Sequence, residues 1–156
     1  MAVTKSGKVV GVSLNGSHEP GHLDEMQSNA DNCSNQRFRK ILQLLVAVER
    51  GAEVFNKYPD IDRLIEVRIL SVDTSMRGRG IAKALLEKTR ELATQLGFPL
   101  MRVDCTSHFS AKAMARLGFE CIFTLRYEDY CQNGKPVFHP EKPHTEVTSY
   151  VQRLAH

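Results

Sequence analysis

Residues 77–82, Arg-Gly-Arg-Gly-Ile-Ala, are the segment whose residue types and spacing point most directly to chemistry. Gly78 and Gly80 carry no side chain that would hold a ligand away from the backbone. A helical pattern begins directly after Gly80, and the N–H groups and dipole of a helix N-terminus bind phosphate well. Arg77 and Arg79 add positive charge suited to a polyphosphate. We therefore expect this loop to hold a pyrophosphate.

Two common nucleotide-binding loops do not match this segment. A P-loop requires GxxxxGK followed by Ser or Thr, which the chain lacks. A dinucleotide fold requires GxGxxG with an acidic residue about 20 positions further on. Here the glycine that follows Gly80 is Gly97. The alternative without a binding role is a Gly-rich turn that only joins a strand to a helix.

The elements on either side of the loop would position it. Residues 64–72 are rich in Leu, Ile and Val and predict a buried strand. Residues 80–96 predict a helix that stops at Gly97. Its apolar stripe is expected to consist of Ile81, Leu85, Leu92 and Leu96.

The remaining elements follow from the same kinds of pattern. Strands are predicted at 2–4, 8–15, 100–105, 120–126 and 145–154, helices at 35–50 and 107–117, and a short helical turn before Tyr58-Pro59. Residues 16–35 and 127–143 are expected to be loops, the second with a turn at Asn133-Gly134. The core stripe of helix 35–50 is expected to include Ile41, Leu42 and Leu45, which could instead line a substrate pocket. The order ββαβαβαββ indicates an α/β or α+β protein, a mixed sheet flanked by helices.

Length and charge limit the classes of protein. The 156 residues suit one domain spanning 1–156. The net charge of +3 fits an anionic small ligand and falls short of a nucleic-acid binder. No apolar run approaches a membrane span, and the N-terminus lacks the apolar core of a signal peptide. We expect a cytoplasmic protein without membrane or nucleic-acid partners.

The cysteines and histidines give no metal signature. Cys33, Cys105, Cys121 and Cys131 form no CxxC pair, and the six histidines form no HExxH motif. We expect no metal and predict that the cysteines are buried, reduced thiols.

Two signatures identify a family. Residues 72–82 fit the acetyl-CoA signature Arg/Gln-x-x-Gly-x-Gly/Ala after an apolar strand, and about 35 residues later Leu117-Gly118-Phe119 closes a helix and opens a strand. The chain therefore resembles the GNAT superfamily of N-acetyltransferases. It further resembles insect arylalkylamine (dopamine-type) N-acetyltransferases, from Met1 to Leu154. The segments that carry this narrower resemblance are RILSVD at 68–73, CTSHFSA at 105–111, PVF at 136–138 and HTEV at 144–147.

The resemblance implies a GNAT fold with acetyl-CoA as co-substrate. In that fold the pantetheine pairs with a strand that splays from its neighbour, and Leu70, Ser71 and Val72 match its position. The pyrophosphate then lies on Arg77, Gly78, Arg79, Gly80, Ile81 and Ala82. Ser107 falls near the pantetheine, where many relatives carry an Asn.

The resemblance also implies catalytic roles. Ser110 and Thr106 match two hydroxyls suggested to donate protons, and Met114 stands where many relatives have a Tyr acid. Relatives hold their general base, a Glu, in a strand and two helices ahead of the hairpin that opens residues 1–156. On this resemblance the fold is expected to be N-terminally incomplete.

Four further residues are ambiguous. His108 could relay protons or be a surface histidine, and Glu66 could be a water-linked base or a solvated carboxylate. Tyr127 and Tyr130 could line an amine pocket or pack in the core.

The function implied is direct transfer of acetyl to a small-molecule arylalkylamine, such as dopamine, serotonin, octopamine, tyramine or tryptamine. The resemblance also implies a monomer, as is usual for the family. A catalytically impaired acetyl-CoA-binding module is an alternative, as is a GNAT enzyme for polyamines or protein N-termini. A protein-binding scaffold unrelated to CoA is a more distant one.

Overall fold

A computed structural model shows a six-stranded mixed sheet with helices on both faces. It describes residues 1–154, and of Ile69 and Phe109 the backbone only. The strands are β1 (Ala2–Val3), β2 (Val9–His18), β3 (Leu64–Val72), β4 (Leu100–Cys105), β5 (Glu120–Arg126), β6 (Cys131–Gln132), β7 (Lys135–Pro136) and β8 (Glu146–Arg153). The helices are α1 (His22–Asp31), α2 (Gln36–Ala52), α3 (Val54–Lys57), α4 (Ile81–Gln95) and α5 (His108–Arg116).

The main sheet has the strand order β1-β2-β3-β4-β8-β5, and β6 and β7 form a separate hairpin. Strands β3 and β4 are parallel, and the other pairs in the main sheet are antiparallel. The predicted mixed sheet flanked by helices is therefore confirmed.

Alternate residues of the central strands face different helices. Val67 and Val103 pack with α4 and α5, where Met114 is fully buried. Leu64 and Leu100 face the opposite way and pack against α3. Helix α2 covers the neighbouring part of that second face, because Leu44 and Val48 pack there with aromatic side chains from the 127–143 region.

The prediction of a loop at residues 16–35 is wrong. Strand β2 continues to His18, and α1 occupies much of the remainder. Leu23, Met26 and Ala30 form only a sparse apolar stripe on α1, and of these residues only Ala30 is buried. The helix lies against α2. Contacts with α2 thus stabilise a helix whose own sequence pattern is weak.

The predicted apolar stripes are wrong in part. In α4, Leu85 is buried, but Leu92 and Leu96 are about half exposed, at 48% and 55%. The buried face of α4 consists of Leu85, Leu86, Thr89 and Ala93. In α2, Ile41 is exposed, whereas Leu44 and Val48 are buried. Both helices are therefore rotated relative to the stripes that the sequence predicts.

Other local predictions are confirmed. Helix α2 begins where expected, and the Asn35 side chain caps it by accepting from the Phe38 N–H at 3.0 Å. Asn133 and Gly134 both have positive φ, as a two-residue hairpin turn requires. All four cysteines are free of disulfides, but the prediction that they are buried is correct only for Cys105 and is wrong for the partly exposed Cys33 and for the exposed Cys121 and Cys131. No helix within residues 1–154 is long and apolar enough to cross a bilayer.

Candidate active site

The loop after β3 is open to an anion. Asp73 accepts from the Ser75 N–H at 3.0 Å and closes a helical turn over Thr74–Met76. Gly78 and Gly80 follow with φ of 79° and 75°, and a Cβ at either would meet no described atom within 4 Å. Among residues 1–154 no side chain caps the N-terminus of α4. The loop and this helix end can therefore present N–H groups to a phosphate, beside the exposed Arg77 and Arg79.

Strands β3 and β4 separate toward the carboxyl end of β3. Their parallel pairing covers Ile65 to Val67 and, in the described chain, goes no further. Leu70, Ser71 and Val72 stay paired with β2 on their other side. The Asp73 N–H donates to the Val10 carbonyl at 2.8 Å. Because N–H directions alternate along a strand, the N–H groups of Val72 and Leu70 point into the gap, where an extended ligand could pair with them.

The start of α5 brings three predicted site residues together. The Ser107 hydroxyl caps the helix by accepting from the Ser110 N–H at 3.1 Å. The two serine hydroxyl oxygens lie 2.8 Å apart, and the Ser110 hydroxyl can also donate to the Ser107 carbonyl at 3.0 Å. Thr106 lies one residue before the cap, and its carbonyl accepts from the Tyr127 hydroxyl at 2.9 Å. This cluster can donate protons.

The neighbouring sulfur-containing side chains do not provide an acid or a nucleophile. Met114 is fully buried and has no proton to donate. Burial raises the pKa of the Cys105 thiol to about 12, so the thiol stays protonated at neutral pH. Direct attack of an amine on a thioester is therefore favoured over a cysteine intermediate.

A cavity of about 1150 Å³ lies beside this cluster. Ile41, Leu42 and Leu45 line it, so the expectation that they form the core stripe of α2 is wrong and the alternative of a pocket wall fits. The charged and titratable side chains of the lining are Glu19, Glu25, Glu66, Asp104, Arg68, His18 and His22. Asp104 is paired with the buried Arg102, which leaves Glu19, Glu25 and Glu66 against Arg68, and this excess of carboxyl groups suits a positively charged ligand.

A buried ionic cluster lies behind the cavity. Arg102 is fully buried and pairs with Glu49 and, at 3.1 Å, with Asp104. Ser149 joins the same group, since its hydroxyl donates to Asp104 at 2.6 Å. The cluster continues to the cavity wall, because His22 Nε2 lies 3.0 Å from Glu49 Oε1. This last contact is electrostatic, because His22 Nε2 forms no hydrogen bond to a described residue.

The pKa shifts within the cluster follow from its charges. Burial favours the neutral form of Glu49, but His22 and Arg102 outweigh it and lower the pKa of that carboxyl. Burial also opposes protonation of His22, but Glu49 outweighs it and raises the pKa of the imidazole. Burial raises the pKa of Asp104, and Arg102 offsets only part of that effect.

Several of these residues were not predicted from the sequence. No motif assigned a functional role to His18, His22, Glu49, Arg102 or Asp104. The available signal was the strand at 100–105, where Arg and Asp stand two positions apart among apolar residues. Such spacing puts both on one face of a strand, and a buried charge is rarely left unpaired.

The structure also decides three of the ambiguous residues. Glu66 is no solvated carboxylate, because its side chain is 14% exposed and bonds to His18. Tyr127 is buried, and both it and Tyr130 pack against Phe138 outside the cavity lining. The packing interpretation of the two tyrosines is therefore confirmed.

His108 is exposed, as a surface histidine would be, and its backbone N–H donates to His144 Nδ1 at 3.1 Å. In the described residues, no group of three or more His, Cys, Asp or Glu side chains is arranged to hold a metal ion.

Comparison with known proteins identifies the class. The Acetyltransferase (GNAT) family matches residues 50–119. A mosquito arylalkylamine N-acetyltransferase like 5b has 35% identity and a TM-score of 0.88, over 96% of this chain and 70% of that one. Arylalkylamine N-acetyltransferase 2 from Aedes aegypti has 33% identity and a TM-score of 0.91, over 99% of this chain and 72% of that one. A Drosophila melanogaster polyamine N-acetyltransferase that forms N-acetylagmatine has 32% identity and a TM-score of 0.88, over 97% of this chain and 72% of that one.

The chain therefore belongs to the GNAT family of acetyltransferases, which use acetyl-CoA. It is similar to insect arylalkylamine N-acetyltransferases and spans about 70% of their length.

Proposed function

We propose that this chain transfers acetyl from acetyl-CoA to the amino group of arylalkylamines such as dopamine, serotonin, octopamine, tyramine and tryptamine. The observation that carries the proposal is the gap between β3 and β4, where Leu70 and Val72 present unpaired N–H groups beside a cavity lined by acidic side chains. The similarity to arylalkylamine N-acetyltransferases supports this choice of substrate.

The proposed binding of acetyl-CoA uses the loop after β3 and the gap between β3 and β4. The pyrophosphate would lie on the loop Arg77, Gly78, Arg79 and Gly80 and on the first N–H groups of α4, those of Ile81 and Ala82. The pantetheine would pair with β3 at Leu70, Ser71 and Val72 and would pass Ser107. The open space at the two glycines and the directions of the N–H groups support this fit.

The proposed chemistry is direct transfer in a ternary complex. The amine nitrogen attacks the thioester carbonyl, and the Val72 N–H stabilises the oxyanion that forms. When the C–S bond breaks, the second proton of the nitrogen must reach the thiolate sulfur. Ser110 is the proposed donor to that sulfur, with Thr106 as a second hydroxyl nearby.

Replacement of Ser110 by Ala should lower kcat by about tenfold and leave the KM for acetyl-CoA nearly unchanged. The loss is expected to fall below the usual 10²–10⁴ of general acid catalysis, because a thiolate leaves readily without help. Steady-state kinetics across pH measure both constants. Exposed Ser28→Ala on α1 is the control. A kcat equal to that of the unmodified chain at every pH would remove Ser110 from the reaction.

A second candidate function is acetylation of polyamines or agmatine. The acidic lining favours it, because the cavity offers more carboxylates than one ammonium group needs. A relative that forms N-acetylagmatine shares 32% identity with this chain. Phe38 is the one aromatic Phe, Tyr or Trp ring among the described residues of the lining.

Turnover of a panel of amines tests and separates the two functions. We expect measurable kcat/KM with tyramine and tryptamine, and higher values than with agmatine and spermidine. Glu25→Gln should then affect agmatine more than tyramine, by roughly threefold to tenfold, since only agmatine has a second cation for it to attract. Glu91→Gln, an exposed change outside the cavity, is the control. A preference for agmatine would establish the second function, and no turnover of any amine would refute both.

A further inference from the structure

Two side chains at the cavity wall form a histidine–carboxylate pair. His18 is the last residue of β2, and Glu66 lies on the adjacent strand β3. Their side chains are 10% and 14% exposed, and His18 Nε2 bonds to Glu66 Oε2. Both residues line the same cavity as Ser110 and Thr106. The pair is therefore on the surface that an acceptor amine would contact.

A second histidine, His22, packs against the His18 ring. The His22 ring stacks on His18 with centroids 4.3 Å apart and planes inclined by 30°. His22 Nδ1 lies 2.8 Å from the Glu19 carbonyl, and because a carbonyl only accepts, that nitrogen carries a hydrogen. His22 Nε2 faces Glu49, whose pKa is lowered, so an ionised carboxylate meets it at 3.0 Å. A lone pair on Nε2 would be repelled by that carboxylate, so the geometry favours a hydrogen on this nitrogen too.

We therefore infer that His22 is an imidazolium, held by a hydrogen bond at Nδ1 and by its charge contact with Glu49 at Nε2. The raised pKa of His22 agrees with this assignment. Glu49 is in turn anchored by the buried Arg102. The ring that supports His18 is consequently rigid, charged and unavailable as a proton acceptor.

His18 is arranged differently. When its ring is neutral, the Glu66 carboxylate selects the tautomer with hydrogen on Nε2, because a carboxylate accepts and cannot donate. The lone pair is then on Nδ1, and no described residue forms a hydrogen bond to that atom. A histidine held in one tautomer by a carboxylate, with its second nitrogen uncommitted, has the arrangement of a general base.

We propose that His18 is the general base that deprotonates the acceptor amine, with Glu66 as the residue that orients it. This inference rests on the proposed N-acetyltransferase function. The ammonium proton passes to His18 Nδ1, and the ring becomes an imidazolium whose Nε2–H still bonds to Glu66. The neutral amine then forms the C–N bond, the C–S bond breaks, and the second proton of the nitrogen passes to the thiolate sulfur. His18 returns its proton to solvent after the products leave.

The reaction needs such a base because alkylamines are protonated at neutral pH. With a pKa of about 10.4, as in lysine, roughly one amine in 10³ is neutral near pH 7.4. The charges around His18 favour an ammonium group in the cavity. Two side chains face His18 directly: Glu66 from β3 and His22 from α1. The other charged groups near this pair are Glu19, Glu25, Glu49, Arg68, Arg102 and Asp104.

The first test is replacement of His18 by Gln. We expect kcat/KM for the preferred amine to fall by about 10²–10³ near pH 7.4, with acetyl-CoA affinity by calorimetry changed less than twofold. The deficit should shrink as pH approaches about 10, because more of the amine is then already neutral. Glu66→Gln keeps an acceptor for Nε2–H and should lose less activity than Glu66→Ala. Exposed His139→Gln, outside the cavity, is the control.

The second test needs no turnover and does not depend on a variant that folds. Long-range proton–nitrogen NMR spectra of the unmodified chain should show that the neutral form of the His18 ring carries its hydrogen on Nε2, and that the His22 ring is protonated on both nitrogens. A His18 ring protonated on Nδ1 alone would overturn the assignment of the base. So would a folded His18→Gln variant whose kcat/KM equals that of the unmodified chain. Failure of the unmodified chain to acetylate any amine would instead refute the function, and the base with it.

Discussion

Replacement of Arg102 by Met should lower the free energy of unfolding by about 3–5 kcal/mol, as expected when one partner of a buried ion pair is removed. Arg102 is fully buried and contacts both Glu49 and Asp104, whose side chains are 7% and 9% exposed. Without the guanidinium Asp104 would lose its counter-charge and Glu49 would keep only His22, and both carboxyl groups are at positions with little exposure. Urea unfolding near neutral pH, followed by circular dichroism, measures the change.

An exposed arginine provides the matched control for that experiment. Arg153 pairs with Asp60 at 2.8 Å, and both side chains are more than half exposed. Arg153→Met should therefore change the free energy of unfolding far less than Arg102→Met does, because an exposed ion pair is screened by water. Equal effects of the two substitutions would show that the buried cluster contributes no more than a surface ion pair.

Replacement of Gly80 by Val should weaken acetyl-CoA binding by at least tenfold, about 1.4 kcal/mol. Gly80 has φ of 75°, and the open space beside it is where the pyrophosphate is proposed to lie. A branched side chain would strain this backbone and would block the approach of phosphate to the N–H groups of α4. Isothermal titration with acetyl-CoA measures the affinity, and Arg77→Ala should have a smaller effect.

Strain alone must be separated from loss of the binding site. Gly134 has φ of 77° and equally open surroundings, but it lies in the hairpin between β6 and β7. Gly134→Val should therefore reproduce the backbone strain and leave acetyl-CoA affinity intact. Unchanged affinity in a folded Gly80→Val variant would remove the loop from the proposed site.

The sequence alone was sufficient for the elements around the phosphate loop. The strand at 64–72, the helix that begins after Gly80 and the helix predicted at 107–117 all form where the local pattern predicts them. Each depends on interactions over a few residues: the apolar run, a glycine at positive φ, or a hydroxyl that caps the next turn. Such signals depend only on residues that are close together in sequence, so they can be recognised without knowledge of the fold.

The cavity and its charges were decided by the tertiary structure. Helix α1 has only a sparse apolar stripe, and Ile41 faces the cavity although its spacing is that of a core residue. His18, His22, Glu49 and Arg102 come from four different elements and meet only when α1 and α2 pack on the sheet. Their protonation depends on burial and on mutual distances of about 3 Å, and neither quantity exists before the chain has folded. The sequence therefore determined the family and the proposed phosphate loop, whereas the proposed base emerged only from long-range packing of charged groups.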